Sequence, residues 1–125
     1  MKKYVFLFLL TFILLISLAA KFQAANTFPL FGKFFILDPG HGGIDPGSIY
    51  KDEYEKDYNL EFSLTLKNEL EKLGATVILT RNGDYDLSSP NASRRKRSDF
   101  DNRIKLIDED KPDMYISLHM NSLSS

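Results

Sequence analysis

A glycine-rich connection around a single histidine constrains the fold of this chain more than any other feature. Residues Asp38 to Gly47 read DPGHGGIDPG, and they directly follow the apolar run Phe34 to Leu37. An apolar run that stops at Asp-Pro predicts a buried strand followed by a loop. Glycine on both sides of His41 indicates that another group approaches the loop backbone closely.

The second histidine of the chain occupies an equivalent place. His119 follows the apolar run Met114 to Leu118, and His41 and His119 are the only two histidines. In a sheet of parallel strands, the loops after the strands gather at one edge, so we expect the two imidazoles to share a site there. The chain contains no cysteine, so any metal ligands would have to be His, Asp or Glu.

The remaining patterns predict an α/β fold. Each histidine follows a predicted strand, and three elements are expected between these two strands. They are a helix over Glu53 to Leu73, a strand over Ala75 to Thr80 and a helix over Arg94 to Asp108. The last strand is expected over Asp113 to Leu118. Strands that alternate with helices favour a mixed or mostly parallel sheet with helices on both faces. The last strand is expected to form an open edge of this sheet.

The N-terminus is typical of an exported protein. Lys2 and Lys3 precede an apolar stretch from Tyr4 to Ala20, which predicts a signal peptide or a membrane anchor within residues 1–25. We expect a linker over residues 26–33 and one domain over residues 34–125. A net charge of −1 argues against nucleic acid as a partner.

Residue type and spacing leave several assignments open. A catalytic zinc site usually has three protein ligands, and the candidates for a third are Asp45, Asp52, Glu53, Glu55 and Asp57. Either of two aspartates, Asp38 and Asp45, could orient His41, but their positions favour turn formation. The basic run at residues 94–97 is interpreted as a solvated helix face, with contact to an anionic polymer as the alternative.

Taken together, these segments resemble a known family. The ordered set is the loop at 38–47, Glu55-Lys56-Asp57, Thr80-Arg81 and Ser117-Leu118-His119-Met120-Asn121. It resembles the zinc-dependent N-acetylmuramoyl-L-alanine amidases of the amidase-3 type, from about Phe34 to the end of the chain. The segments Ser93-Arg94-Arg95-Lys96 and 103–107 look most like the sporulation, or germination-specific, member of that family.

The resemblance implies a fold, a cofactor and an activity. The fold would be the N-terminal part of the amidase-3 fold, with Zn²⁺ held by His41, Glu55 and His119. The activity would be hydrolysis of the amide bond between N-acetylmuramic acid and the L-alanine of the peptidoglycan stem peptide. The protein would be extracytoplasmic or membrane-anchored, face the cell wall or spore cortex, and act in cortex formation or germination.

The chain departs from the family pattern at its end. The family uses a glutamate near the end of its domain as general base, and this residue is expected beyond Ser125; neither Glu53 nor Glu61 is assigned its role. The domain over residues 34–125 is therefore expected to lack its C-terminal part. The alternative to a hydrolase is a catalytically incomplete fragment that binds zinc or the cell wall. The need for an accessory protein is left open.

Overall fold

The computed structural model describes residues 2–121, without the side chains of residues 24–26. It contains three helices and five strands in these residues. They are α1 Lys2–Thr27, β1 Phe34–Pro39, β2 Ile49–Tyr50, β3 Glu53–Tyr54, α2 Glu55–Lys72, β4 Thr76–Leu79, α3 Arg95–Asp110 and β5 Met114–Leu118. The order of β1, α2, β4, α3 and β5 confirms the α/β prediction.

The main sheet is parallel and has the order β4-β1-β5. Its register places Leu37 of the central strand β1 beside Leu79 of β4 and Ile116 of β5. Strand β1 is buried along nearly its whole length, as expected for a parallel strand covered on both faces. In the described residues, β5 pairs with β1 alone and lies at the edge of the sheet.

The two faces of β1 are covered by different helices. Phe35 and Leu37 point to one face, where they form a core against Leu66 and Leu70 of α2. Asp38 points to the opposite face because side chains alternate along a strand. It forms a buried ion pair there with Arg103 of α3. Helices therefore lie on both faces of the sheet, as the sequence predicted.

A short antiparallel hairpin precedes α2 and was not predicted. Strand β2 pairs with β3, so α2 begins at Glu55 rather than at Glu53. The first amide groups of this helix are satisfied by the preceding loop: the N–H of Glu55 donates to the carbonyl of Ser48, and that of Lys56 donates to the carbonyl of Pro46, at 3.0 and 3.1 Å. These bonds stabilise the helix start and fix it against the glycine-rich loop.

Helix α1 is long and apolar enough to cross a bilayer. The apolar part, Lys2–Gln23, has 22 residues, none of them buried inside the protein. At about 1.5 Å per residue this length matches a hydrocarbon core of about 30 Å. An N-terminal signal sequence has the same features. The helix also continues through Thr27, two residues into the segment expected to be a linker.

Candidate metal centre

Three side chains from separate elements meet at the carboxyl edge of the sheet. His41 follows β1, Glu55 begins α2 and His119 follows β5, and one possible ligand atom from each lies within 4.8 Å of the others. Strands β1 and β5 are parallel neighbours, and the N–H of Gly40 donates to the carbonyl of Leu118 at 3.0 Å. This pairing places the two histidine loops side by side.

Glu55 lies between the two imidazoles. Its Oε2 is 3.4 Å from Nε2 of His41, and its Oε1 is 3.1 Å from Nδ1 of His119. The rings are nearly perpendicular, at 85°, with centroids 4.8 Å apart. The Glu55 side chain is 3% exposed, whereas that of His119 is 40% exposed. The cluster is thus anchored on a buried carboxylate and open to solvent beside His119.

Glu55 is held as a carboxylate by main-chain donors. The N–H groups of Ser48 and Met120 donate to it at 2.9 and 3.1 Å. Burial opposes ionisation, but the hydrogen bonds from Ser48, His119 and Met120 outweigh it and lower the pKa of Glu55 to about 2. At neutral pH the cluster therefore presents one anionic oxygen donor to two imidazoles.

Asp45 contacts the first histidine directly. Its Oδ2 lies 3.0 Å from Nδ1 of His41, and Nζ of Lys96 donates to Oδ1 at 2.9 Å. Burial opposes ionisation, but the bonds from His41 and Lys96 lower the pKa of Asp45 to about 2. An ionised carboxylate only accepts, so Nδ1 of His41 is the donor to Asp45, and Nε2, which faces Glu55, is the ring atom left to bind a metal.

The two aspartates that the sequence favoured as turn-formers therefore have other contacts. Asp45 does close a turn, through mutual main-chain bonds with Gly42 at 3.0 Å, but its side chain also orients His41. Asp38 instead accepts hydrogen bonds from Thr80 and Tyr115 at 2.5 and 2.6 Å and pairs with Arg103. Asp38 thus fixes the end of β1 beneath the site.

The remaining candidates for a third ligand lie outside the cluster. Asp52, Glu53 and Asp57 are exposed, and the three-residue group contains Glu55 alone among the carboxylates that the sequence left open. The position of Glu55 depends on the hairpin and on the helix start that the hairpin fixes. No periodicity in the sequence marks either feature.

The glycines of the loop explain how closely the ligands approach. A Cβ on Gly40 would overlap the His119 ring, and a Cβ on Gly47 would lie 2.6 Å from Cδ2 of His41 and 2.7 Å from Oε2 of Glu55. Gly47 also has a φ of 69°, which favours glycine. The glycines around His41 predicted that another group approaches this loop closely. The side chains that approach it are those of the candidate ligands.

Three of the four residues in the basic run are paired with carboxylates. Arg95 bonds Asp86 at 2.8 Å, Lys96 bonds Asp45 and Arg97 pairs with Asp101 within α3. The interpretation as a solvated helix face fits Arg97, whose side chain is 71% exposed. Sequence reasoning missed the contribution of Lys96, which reaches the site from 51 residues away.

The donor set fits a zinc ion. Two imidazole nitrogens and one carboxylate oxygen are a common zinc ligand set, and catalytic sites of this kind keep a further position open. The buried, ionised Glu55 and the exposed edge of His119 provide the charge and the access that such a site needs.

Known proteins with similar sequences belong to the family that the sequence motifs resemble. The family model for N-acetylmuramoyl-L-alanine amidase, Amidase_3, matches residues 35–125. The germination-specific N-acetylmuramoyl-L-alanine amidase of Bacillus subtilis (strain 168) is 41% identical over an alignment of 128 residues that covers 94% of this chain. The probable cell wall amidase LytH of Staphylococcus aureus is 40% identical over an alignment of 100 residues that covers 78% of this chain.

A solved structure shares the fold. The CwlD amidase from Clostridioides difficile, in complex with the GerS lipoprotein, matches 75% of this chain with a TM-score of 0.70 and 38% sequence identity. The chain spans only part of these relatives: 54% of the Bacillus protein, 29% of the Staphylococcus protein and 51% of the Clostridioides chain.

Proposed function

The chain belongs to the N-acetylmuramoyl-L-alanine amidase family, and from this premise we propose that it provides the metal-binding part of a peptidoglycan hydrolase. The bond cut would be the amide between N-acetylmuramic acid and the L-alanine of the stem peptide. The observation that carries this proposal is the meeting of His41, Glu55 and His119 at one edge of the sheet, with Glu55 buried and ionised.

We propose zinc as the cofactor. His41 would bind through Nε2, because Asp45 occupies its Nδ1, and Glu55 and His119 would supply one donor atom each. The chemistry that zinc supplies when bound is polarisation of the scissile carbonyl and a lower pKa for an attacking water molecule. The open side next to His119 is where the amide would enter.

The chain's own residues would keep this ligand set ready. Asp45 holds a proton on Nδ1 of His41, and the main-chain donors of Ser48 and Met120 keep Glu55 ionised and oriented. We assign no general base within residues 2–121: Glu53 accepts a bond from the Tyr58 hydroxyl, and Glu61 is exposed. The proposed general base is a glutamate beyond Ser125.

Digestion of purified peptidoglycan tests the activity. We expect the full-length protein to release stem peptides with new amino groups on L-alanine, to leave glycan strands uncut, and to stop when a chelator removes the metal. Residues 1–125 alone should be about 10²–10⁴-fold slower because the proposed general base is absent. Cleaved glycan strands, or full activity in chelator, would contradict the assignment. Binding of zinc and of the wall without peptide release would instead support the alternative, a catalytically incomplete zinc- or wall-binding module.

We also propose that the protein acts outside the cytoplasm, in spore cortex formation or germination. Helix α1 supports export or anchoring, and the germination-specific Bacillus relative supports the role in spores.

In fractionated cells, the full-length protein should be in the membrane or extracytoplasmic fraction. Changing Leu10 and Ile13 to Arg should move it to the cytoplasm, because each arginine costs about 2.5–3.5 kcal/mol at the centre of a span. Thr11→Ser is the matched control, and a soluble cytoplasmic wild type would refute export.

A further inference from the structure

Arg81, which lies just after the end of β4, has one of the most buried side chains in the described part of the chain. It is 1% exposed. Its hydrogen bonds there all go to main-chain carbonyl oxygens: Nε donates to Pro39 at 2.9 Å, and Nη1 donates to Gly83 at 3.0 Å. Nη2 donates to Gly40 at 3.1 Å and to Lys56 at 2.7 Å. The guanidinium is thus enclosed by backbone.

Three of these four carbonyls belong to the segments that carry two of the candidate ligands. Pro39 and Gly40 directly precede His41, and Lys56 directly follows Glu55. A single planar group therefore connects the end of β1 to the first turn of α2. The hydrogen bonds of Arg81 thus join the two ligand-bearing segments through their main chain and not through the side chains of His41 or Glu55.

Burial is unfavourable for the charged form of the Arg81 side chain. Burial lowers the pKa of Arg81, and the nearby positive charge of Arg103 lowers it further. Arg103, although also buried, is paired with the carboxylates of Asp38 and Asp99. Arg81 has no such ion pair among the described residues. Nearby carboxylates oppose this shift in pKa without pairing with Arg81, so the position of the guanidinium is fixed by the main-chain carbonyls of the segments that it joins.

We propose that Arg81 is a positioning residue that sets the distance between the His41 and Glu55 segments for the bound metal. This inference rests on the metal centre proposed above. Only arginine fits the task, because its five donors lie in a rigid planar fork and reach acceptors in several directions. Lysine keeps the charge but has one nitrogen, which cannot bridge Pro39 and Gly40 on one side and Lys56 on the other.

The variant Arg81→Lys tests the proposal in the full-length protein. Zinc affinity, measured by competition with a chromophoric chelator, should fall about 10–100-fold, the range typical when groups that orient metal ligands are lost. The visible spectrum of the cobalt-substituted protein should also change, because the ligand geometry changes. Arg97→Lys is the matched control, since Arg97 is exposed on α3 and pairs with Asp101; it should leave both readouts unchanged.

The outcomes separate positioning from a structural role. A structural role alone would lower the urea midpoint of Arg81→Lys and leave the zinc affinity and cobalt spectrum of the folded protein as in the wild type; that result would overturn the proposal. Failure of the wild type to bind zinc would instead refute the metal centre and remove the basis of the inference with it.

A measurement on the unaltered protein covers the case in which Arg81→Lys does not fold. In ¹⁵N spectra, zinc should shift the Nε–H resonance of Arg81 and slow its exchange with solvent, because the metal fixes the two segments that Arg81 bridges. The Nε–H of Arg97 should not respond. An Arg81 resonance that zinc leaves unchanged would overturn the proposal.

Discussion

His119→Ala and a His41 variant should each abolish stoichiometric zinc binding by the full-length protein. The three candidate ligands come from three separate elements, so two remaining ligands on different segments cannot hold the ion well. The loss of affinity should exceed the roughly 10–100-fold that loss of an orienting group costs. Metal analysis after exhaustive dialysis measures the effect directly.

The backbone at His41 decides which substitution to use. His41 has a φ of 64°, a conformation in which asparagine is better tolerated than alanine. His41→Asn should therefore remove the imidazole with less backbone strain than His41→Ala, and both are expected to lose zinc. Glu53→Gln, in the exposed hairpin next to Glu55, is the control and should keep it. Stoichiometric zinc in the His41 and His119 variants would refute the ligand assignment.

The main elements of the fold could be predicted because each has a local signal. Strand β1 is an apolar run that ends at Asp-Pro, and α2 places Leu66 and Leu70 at helical spacing against the sheet. The hairpin of β2 and β3 could not be predicted, because strands of two exposed residues have no measurable alternation. Because β3 occupies Glu53 and Tyr54, α2 begins at Glu55 and not at Glu53, where the sequence predicted its start.

The candidate site was only partly visible in the sequence. The two histidines stand out through their positions after apolar runs, but Glu55 could be chosen only through the family resemblance, because acidic residues are common at helix starts. The contact of Lys96 with Asp45 spans 51 residues and leaves no local pattern. The burial of Arg81 and Arg103 could not be expected either, since arginine is mostly exposed in proteins.

Asp38→Asn should destabilise the protein strongly without touching a candidate ligand. Asp38 is 4% exposed and pairs with Arg103, which is 5% exposed. Removal of one partner of a buried pair typically costs about 3–5 kcal/mol. We expect the lower end of this range, because Arg103 keeps its bonds to Asp99. Urea unfolding in the presence of chelator measures the change in the free energy of unfolding without a contribution from metal.

The same variant has a specific pH dependence. Burial opposes ionisation of Asp38, but Arg103, Thr80 and Tyr115 outweigh it, so its pKa is lowered from 3.8. A carboxyl with a lowered folded-state pKa contributes stability that is fully present above its unfolded-state value and is lost as the pH falls through the folded-state value. The gap in unfolding free energy between wild type and Asp38→Asn should therefore be constant near neutral pH and shrink below about pH 4.

Asp101→Asn, which changes a half-exposed partner of Arg97, is the control and should lower the free energy of unfolding by at most about 1 kcal/mol. A gap for Asp38→Asn that stays constant to pH 2.5 would show that the variant acts through packing rather than through the lost charge.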